Sequence, residues 1–332
     1  MTLTLEFHDV ADLPDLDRLW REETDWGEQT QELRRWFMQA PFGKPAVVVA
    51  SDGETGKAVG QFRFMPMRVS VNGREVSAVR PFGTIVTKDA HEAADGRGTL
   101  DNPIAVMYLR AVEEYRSRGV GLMYIVPDER WVGLFKRWAS ALRMFQIEYA
   151  SFPLWSLPLP LAGGPLPLGE GFTAAPLAAW DERVDRLWAA ARRLHGCMAV
   201  REACVLRWRL SQAAFTVTAV ERGGELVGLV ASREKGDRQW LVCDLLAADD
   251  GEALRATLAA AANAGHAETG SRAAANELRK VAVLATPVME PAVRGLGFVR
   301  DEYDFPLVVH VLDESLRAED VSPANWYVSA ND

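Results

Sequence analysis

The sequence has few cysteines and none of the spacings that form a metal site. Its three cysteines, Cys197, Cys204 and Cys243, are odd in number and contain no Cys-x-x-Cys pair. Neither a disulfide framework nor a zinc site is therefore predicted. We expect buried, reduced thiols and no bound metal.

The chain also lacks an excess of basic residues. It has 37 Lys and Arg against 46 Asp and Glu, a formal net charge of -9. Non-specific nucleic-acid binding needs clustered Lys and Arg to neutralise phosphates, so no nucleic-acid partner is predicted. The acidic balance favours a small cationic or amine-bearing substrate instead.

Long hydrophobic segments and an amino-terminal signal are missing as well. No 18-residue stretch is uninterrupted by polar residues, and the first residues, MTLTLEFHDVADLPDL, contain acids instead of a basic and then an apolar region. A composition of 48% hydrophobic and 25% charged residues is that of an ordinary soluble globular protein. We expect a cytoplasmic monomer or homodimer with no membrane partner.

One segment is rich in Pro and Gly. Residues 158–171, PLPLAGGPLPLGEG, contain four Pro and four Gly, a composition typical of linkers. This predicts two domains, residues 1–157 and 172–332, joined by that linker.

The two halves have similar patterns of strands and helices. The first half predicts the order β, αα, βββ, α, β, α, β, with Asn72-Gly73 as a hairpin turn. Residues 120–126 are apolar throughout, which is typical of a buried strand. Pro127 and then a helix follow, and the same succession of strand, Pro, helix and strand recurs after residue 280. The pattern predicts an α/β fold with an internal duplication.

A glycine-containing loop joins the fourth strand to a well-marked helix in the first half. Asn102-Pro103 supplies an N-cap and a Pro at the first helical position. Before it lies Asp95-Gly96-Arg97-Gly98-Thr99, where glycine lets main-chain N–H groups approach a ligand and Arg97 adds positive charge. Such a loop is typical of a phosphate or pyrophosphate site, although an ordinary turn has the same composition.

The order of elements, this loop and the run from Arg294 to Phe298 resemble the GCN5-related N-acetyltransferase (GNAT) superfamily. The resemblance covers nearly the whole chain and implies two tandem domains, each a mixed, mainly antiparallel, splayed sheet flanked by helices. It implies that acetyl-CoA or another acyl-CoA binds between the fourth and fifth strands of the first domain. The residues implied to contact it are Ile85, Val86, Thr87, Gly96, Arg97, Gly98, Thr99 and Phe135.

The loop departs from the family motif at two of its three defining positions. Where the family has Arg or Gln, then Gly, then Gly or Ala, this chain has Asp95, Gly98 and Leu100. The equivalent loop of the second half, residues 247–252, is acidic, and like charges oppose a diphosphate there. We therefore expect that the second domain binds no CoA and that its helix begins with an acidic cap.

The resemblance implies direct attack of an amine on the thioester, assisted by a base and often by a Tyr acid. The position of that Tyr is occupied here by Phe135, which cannot donate a proton. The candidate catalytic residues are Tyr124, Asp89 and Asp244, and His91 is a further polar candidate. Asp89 and His91 have an alternative as solvated loop residues, and Tyr124 as a core aromatic. An Asp on an apolar strand, such as Asp244, needs either a partner or a function.

Three functions are compatible with these features. The first is an acyl-CoA-dependent N-acyltransferase that acts on a small amine and transfers groups other than aminoacyl groups. The second is a catalytically silent tandem scaffold that binds a metabolite or a protein partner. A transferase of related fold that uses an aminoacyl or carrier-bound thioester is the third.

Overall fold

The computed structural model describes residues 2–25, 29–94, 98, 101–127, 129–141, 147–212, 214–236, 238–248, 250–271, 277–317, 319–322 and 325–332. The chain divides into two compact units. Unit 1 comprises Met1–Val69, Glu75–Tyr149 and Val308–Glu319, and unit 2 comprises Ser70–Arg74, Ala150–Leu307 and Asp320–Asp332. The predicted linker, residues 158–171, lies inside unit 2. The assignment of tandem domains along the chain stays a prediction.

The first part of the chain forms most of unit 1. Its elements are β1 Leu3–His8, α1 Pro14–Glu23, α2 Gln31–Met38, β2 Ala46–Asp52, β3 Ala58–Val71, β4 Arg74–Val86, α3 Lys88–Ala94, α4 Pro103–Ser117, β5 Leu122–Ile125 and α5 Glu129–Ala141. The strands are arranged in the order β1-β2-β3-β4-β5. β2 pairs antiparallel with both β1 and β3, whereas β4 and β5 are parallel.

Unit 2 contains most of the remaining elements. They are β6 Ile147–Pro158, β7 Phe172–Pro176, α6 Glu182–Ala191, β8 Cys197–Ala199, α7 Ala203–Arg209, β9 Thr216–Arg222, β10 Glu225–Lys235, β11 Gln239–Ala247, α8 Gly251–Gly270, β12 Lys280–Leu284, α9 Glu290–Gly295, β13 Val299–Val311 and β14 Trp326–Tyr327. The main strand order is β13-β6-β12-β11-β10-β9-β7. Strands β11 and β12 are parallel, and β12 pairs antiparallel with β6. The last residues of β13 belong to unit 1, where they pair antiparallel with β5.

The two faces of β3 explain the layers of unit 1. Phe62 and Phe64 are fully buried and pack in one core cluster with residues of α4 and α5. Successive side chains of a strand point to opposite faces, so Gln61 and Arg63 point to the other face. That face is covered by a second cluster, which includes Leu16, Leu19 and Trp20 of α1.

The predicted fold class is confirmed, since the chain is a mixed, mainly antiparallel α/β protein with helices flanking its sheet. Some local structure differs from the sequence-based expectation. Residues 88–94 form helix α3 where a loop was expected. Strands β7, β8 and β14 were not predicted, because each is short and pairs with residues distant in sequence.

Within the ranges described, no helix is long and apolar enough to cross a membrane.

Candidate functional site

Strands β4 and β5 of unit 1 pair over a very short length and then separate. Within the described residues, the pairs between the two strands are Ala78 with Leu122 and Val79 with Met123. Beyond them β4 continues to Val86. The other edge of β5 is paired throughout, because all four of its residues face β13. The facing edges of β4 and β5 past Val79 and Met123 therefore form an opening in the sheet, which we call the β4–β5 opening.

Two residues of β4 explain why the pairing stops. Pro81 has no N–H group to donate to a neighbouring strand. Gly83 has a φ of +57°, which is left-handed backbone that interrupts a regular strand. A Cβ atom at Gly83 would lie 3.2 Å from Cζ3 of Trp20, so the backbone is also packed closely against α1. Two residues of β4 itself thus account for the end of its pairing with β5.

The end of β4 has main-chain groups directed to both of its edges. The N–H of Thr87 donates to the carbonyl of Val59 on β3 at 2.8 Å. Because alternate residues of a strand direct their main-chain groups to opposite edges, Val86 and Thr84 direct theirs away from β3. Ile85 is 3% exposed and packs in the α1 cluster, while Val86 packs against the opposite core. The side chains of Ile85 and Val86 are thus packed in the fold, so a cofactor would contact this end of β4 through main-chain groups. The predicted contacts of Ile85, Val86 and Thr87 with a cofactor stay predictions.

Only part of the predicted phosphate loop can be described. Gly96, Arg97 and Thr99 lie outside the described residues. Gly98 is exposed, and a Cβ atom added there would meet only the Asp101 carboxylate, with Oδ2 at 3.7 Å. The main-chain N–H of Asp101 donates to the carbonyl of Gly98 at 2.9 Å. Among the described residues, a side chain added at Gly98 has only that ordinary contact with Asp101.

Helix α4 begins as the sequence predicts. The side chain of Asn102 accepts hydrogen bonds from the N–H groups of Ile104 at 3.0 Å and Ala105 at 3.3 Å. Pro103 has no N–H at all. The first-turn donors of α4 are therefore already used or missing. An anion bound at this end of α4 would have to take its hydrogen bonds from the preceding loop.

Of the three predicted catalytic residues, Tyr124 lies at the opening. It is the first residue of β5 beyond the last pair with β4, and its side chain is buried, with 2% exposed. Asp89 lies in the first turn of α3, just after β4, and is exposed, as is His91. The structure thus places Tyr124 on a strand that borders the opening and Asp89 in the helix that follows β4, and their catalytic roles stay predictions.

Phe135 lies in the core of unit 1. It is 1% exposed, and its ring centroid is 5.2 Å from that of Tyr108 and 5.4 Å from that of Trp138. Core packing therefore explains Phe135, and its predicted contact with a cofactor stays a prediction. Tyr108 has a further partner that the sequence did not indicate, because its hydroxyl lies 3.1 Å from Nδ1 of His310. Burial lowers the pKa of His310 to about 3.

Asp244 has two buried partners in unit 2. Its Oδ1 accepts from Nε of Arg201 at 2.7 Å, and its Oδ2 accepts from Nη1 of Arg209 at 3.2 Å. Both arginines also bind the carboxylate of Asp332, at 2.9 Å for Arg209. All four side chains are at most 5% exposed. This network gives Asp244 the partners that a buried carboxylate requires, so a structural role explains it without catalysis.

The parallel strands β11 and β12 of unit 2 pair over a longer stretch than β4 and β5 do, although β11 also continues past the last pair, to Ala247. Strands β11 and β12 pair over four residues, from Gln239 with Lys280 to Val242 with Val283, which is all but the last residue of β12. The acidic helix start is confirmed, because Asp250 caps α8 by accepting from the N–H of Glu252 at 2.7 Å. Arg222 binds the same carboxylate at 2.8 Å. These features favour unit 1 as the place of a ligand.

Among the described residues, no group of three or more His, Cys, Asp or Glu side chains is arranged to hold a metal ion.

Solved structures of acyltransferases have a similar fold. A conserved protein of unknown function from Enterococcus faecalis V583, described as a probable N-acyltransferase, matches with a TM-score of 0.68 at 10% identity, covering 94% of this chain and 73% of that one. A GCN5-related N-acetyltransferase from Kribbella flavida matches with a TM-score of 0.60 at 17% identity, covering 93% and 71%. The chain has the GNAT fold.

A longer chain of similar fold has been solved with an acyl-CoA bound. Saccharomyces cerevisiae N-myristoyltransferase with bound myristoyl-CoA matches with a TM-score of 0.53 at 12% identity, covering 93% of this chain and 78% of that one. The sequence itself matches no protein-family model and no curated protein. The similarity to these solved structures confirms the resemblance to GNAT proteins at the level of the fold.

Proposed function

We propose that this protein is an acyl-CoA-dependent N-acyltransferase that acylates a small amine. The observation that supports this most is the β4–β5 opening, since the GNAT resemblance implies acyl-CoA at that place. The pairing of β4 with β5 ends at Val79 and Met123 while β4 continues to Val86, which gives the space between the strands that the resemblance implies for the acyl donor. The acyl donor is acetyl-CoA or a longer acyl-CoA.

Transfer at this site requires little from the protein beyond orientation. The amine nitrogen attacks the thioester carbonyl carbon, so that a C–N bond forms, the C–S bond breaks and the thiolate leaves. An ordinary thiol has a pKa of about 8.5, so a thiolate is a tolerable leaving group without a strong acid. Tyr124 and Asp89 are the residues that we propose to assist proton transfer, since Tyr124 lies on β5 at the opening and Asp89 follows the end of β4. A monomer or homodimer suffices for this reaction.

The binding step is tested with the full chain and a matched pair of glycine variants. Gly98→Val introduces a branched side chain in the loop before α4, where a Cβ atom would meet only the Asp101 carboxylate among the described residues, and should weaken binding of acetyl-CoA at least tenfold by isothermal titration calorimetry. Gly251→Val makes the same change at the start of α8 in unit 2, where a Cβ atom also has open space. It should leave the affinity unchanged. Equal affinity in Gly98→Val would mean that the donor binds elsewhere.

A catalytically silent scaffold is the second candidate function. It is favoured by Phe135, because the position of the family's proton donor has a phenyl ring that is buried among Tyr108 and Trp138. The two candidates differ in release of free CoA. An assay for free thiol, run with acetyl-CoA and a panel of small amines, should detect turnover in the wild type if the protein is an enzyme.

The variant Tyr124→Phe refines that assay. General acid or base assistance is typically worth about 10²–10⁴-fold in rate, so Tyr124→Phe should lower turnover within that range while acetyl-CoA still binds. Binding of acetyl-CoA with no thiol release from any amine would support the scaffold instead.

A further inference from the structure

A cavity in unit 2 lies between α8 and the end of the sheet formed by β9 and β7. It has a volume of about 470 Å³ and is open to solvent. Residues of β7, β9 and β11 line it from the sheet, and one face of α8 lines it from the other side. Ligand pockets of proteins typically have volumes of about 300–1,000 Å³. The cavity is therefore large enough for a small organic molecule.

The packing of α8 explains why this space is left. The helix lies close to the middle of the sheet, where a Cβ atom at Gly228 of β10 would overlap with the side chain of Thr257. A Cβ atom at Gly265 of α8 would likewise lie 2.7 Å from Cδ1 of Trp240 on β11. Towards β9 and β7 the lining of the helix includes three short residues, Ala260, Ala264 and Ala267. Side chains of this size leave the space between the helix and the outer strands unfilled.

Trp240 contributes a hydrogen-bond donor without an acceptor to the lining of this cavity. Only 4% of its surface is exposed, and its indole Nε1 has no acceptor among the described residues. The atom bonded to Nε1, Cδ1, is the indole atom nearest to a Cβ at Gly265, which places Nε1 between β11 and α8. A buried Trp N–H usually has a partner, and a buried donor without one is destabilising. A ligand with an acceptor group would supply the missing partner.

The other polar groups of the lining limit the charge that a ligand can have. Thr216 and Thr218 of β9 contribute hydroxyl groups. The amide of Asn263 is already used, because it accepts from the N–H of Leu166 at 2.6 Å and donates to the carbonyl of the same residue at 2.8 Å. Of the described residues that line the cavity, Glu268 alone is charged. Its negative charge disfavours an anionic ligand, so the acceptor group should be uncharged.

We propose that this cavity binds a small uncharged amide that has an apolar body. The amide carbonyl can accept a hydrogen bond from the indole N–H of Trp240, which an ammonium group cannot do because it has donors only. The amide N–H can donate to the hydroxyl groups of Thr216 and Thr218. The alanines of α8 and Pro176 of β7 form an apolar wall that suits a hydrocarbon group. The proposal does not depend on binding of acyl-CoA at the β4–β5 opening.

The test uses NMR spectroscopy of the full chain labelled with nitrogen-15, without CoA. N-benzylacetamide is the probe, and 3-phenylpropanoate, an anion of similar size, is the control. The indole N–H signal of Trp240, identified by its loss in Trp240→Phe, should shift on titration with the amide because that N–H gains an acceptor. The anion should bind at least tenfold more weakly. Trp240→Phe should weaken binding of the amide about three- to tenfold, which is the scale of one hydrogen bond.

Ala264→Leu is a second variant, which fills the cavity from α8 and keeps Trp240. It should weaken binding of the amide at least tenfold. Ala292→Leu is the matched control, because Ala292 is a half-buried alanine of helix α9 in the same unit and does not line the cavity. It should bind the amide as the wild type does. No shift of the Trp240 signal with the amide, equal affinity for the anion, or unchanged affinity in Ala264→Leu would overturn the proposal.

Discussion

At the scale of single residues, the buried charged side chains of unit 1 and unit 2 differ in whether they have an oppositely charged partner. Arg201, Arg209, Asp244 and Asp332 satisfy one another in unit 2, with two positive and two negative groups. Arg63 in unit 1 has no such partner among the described residues. The sequence indicated that Asp244 needed a partner, but it could not identify Arg201 or Asp332. Those residues are distant in sequence, and only the folded chain brings them together.

Asp244→Asn tests the structural role of this network. The change leaves two buried guanidinium groups with the single carboxylate of Asp332. Removing one member of a buried pair typically costs about 3–5 kcal/mol, and we expect a loss of that size in the free energy of unfolding in urea. Asp89→Asn, at an exposed position of α3, should change it by less than about 0.5 kcal/mol. An Asp244→Asn variant as stable as the wild type would contradict the structural role.

The buried imidazole of His310 should make the stability depend on pH. Its pKa is about 3 in the folded chain because of burial, against about 6.5 when unfolded. Below pH 6.5 the unfolded chain therefore binds a proton that the folded chain does not, so stability falls as the pH falls from 6.5 towards 3. Between pH 6.5 and 5 the loss from this group is about 2 kcal/mol.

His310→Gln should remove that part of the dependence. Urea unfolding at several pH values should show a shallower loss of stability in His310→Gln than in the wild type. It should also show a constant offset from the lost contact with Tyr108. His91→Gln, which changes an exposed imidazole, should keep the slope of the wild type. The same slope in all three proteins would contradict the account of His310.

At the scale of elements, the sequence predicted the starts of helices correctly, because residues adjacent in sequence determine a helix start. Asn102 and Pro103 predicted the start of α4, and the structure has both in the expected positions. The start of α8 at Asp250 is a second case. Strands β7 and β14 were missed because their pairing with β9 and β8 is a long-range contact. The opening in unit 1 depends on local and on long-range features. Pro81 and Gly83 can be read from the sequence of β4, whereas the position of β5 beside it is a long-range contact.

The left-handed backbone of Gly83 should be sensitive to substitution. Gly83→Ala places a Cβ on backbone with a φ of +57° and 3.2 Å from Trp20, and an L-residue there typically costs about 1–2 kcal/mol. Gly98→Ala is the control, because a Cβ atom at that glycine would meet only one described atom within 4 Å, Oδ2 of Asp101 at 3.7 Å. Urea unfolding should show the loss in the first variant alone. Equal stability of both variants would mean that β4 is not constrained at Gly83.

At the scale of the whole molecule, the sequence could not predict which residues belong to each of the two units. A Pro- and Gly-rich segment indicated a boundary at residues 158–171, but unit 2 begins its main segment at Ala150 and Val308–Glu319 belongs to unit 1. Strand β13 explains part of this, because its last residues pair with β5. A boundary read from composition cannot detect a strand that joins a sheet formed much earlier in the chain.

The central claim is that the β4–β5 opening of unit 1 binds acyl-CoA, and hydrogen–deuterium exchange tests it most directly. Exchange is measured on the full chain with and without saturating acetyl-CoA, and again with a longer acyl-CoA. Main-chain amides at the opening should be protected by the ligand, in peptides that cover residues 80–87 and 122–127. Peptides that cover β11 and β12 of unit 2 should exchange at unchanged rates. Protection of β11 and β12 instead, or no protection of residues 80–87 by any acyl-CoA that binds, would contradict the claim.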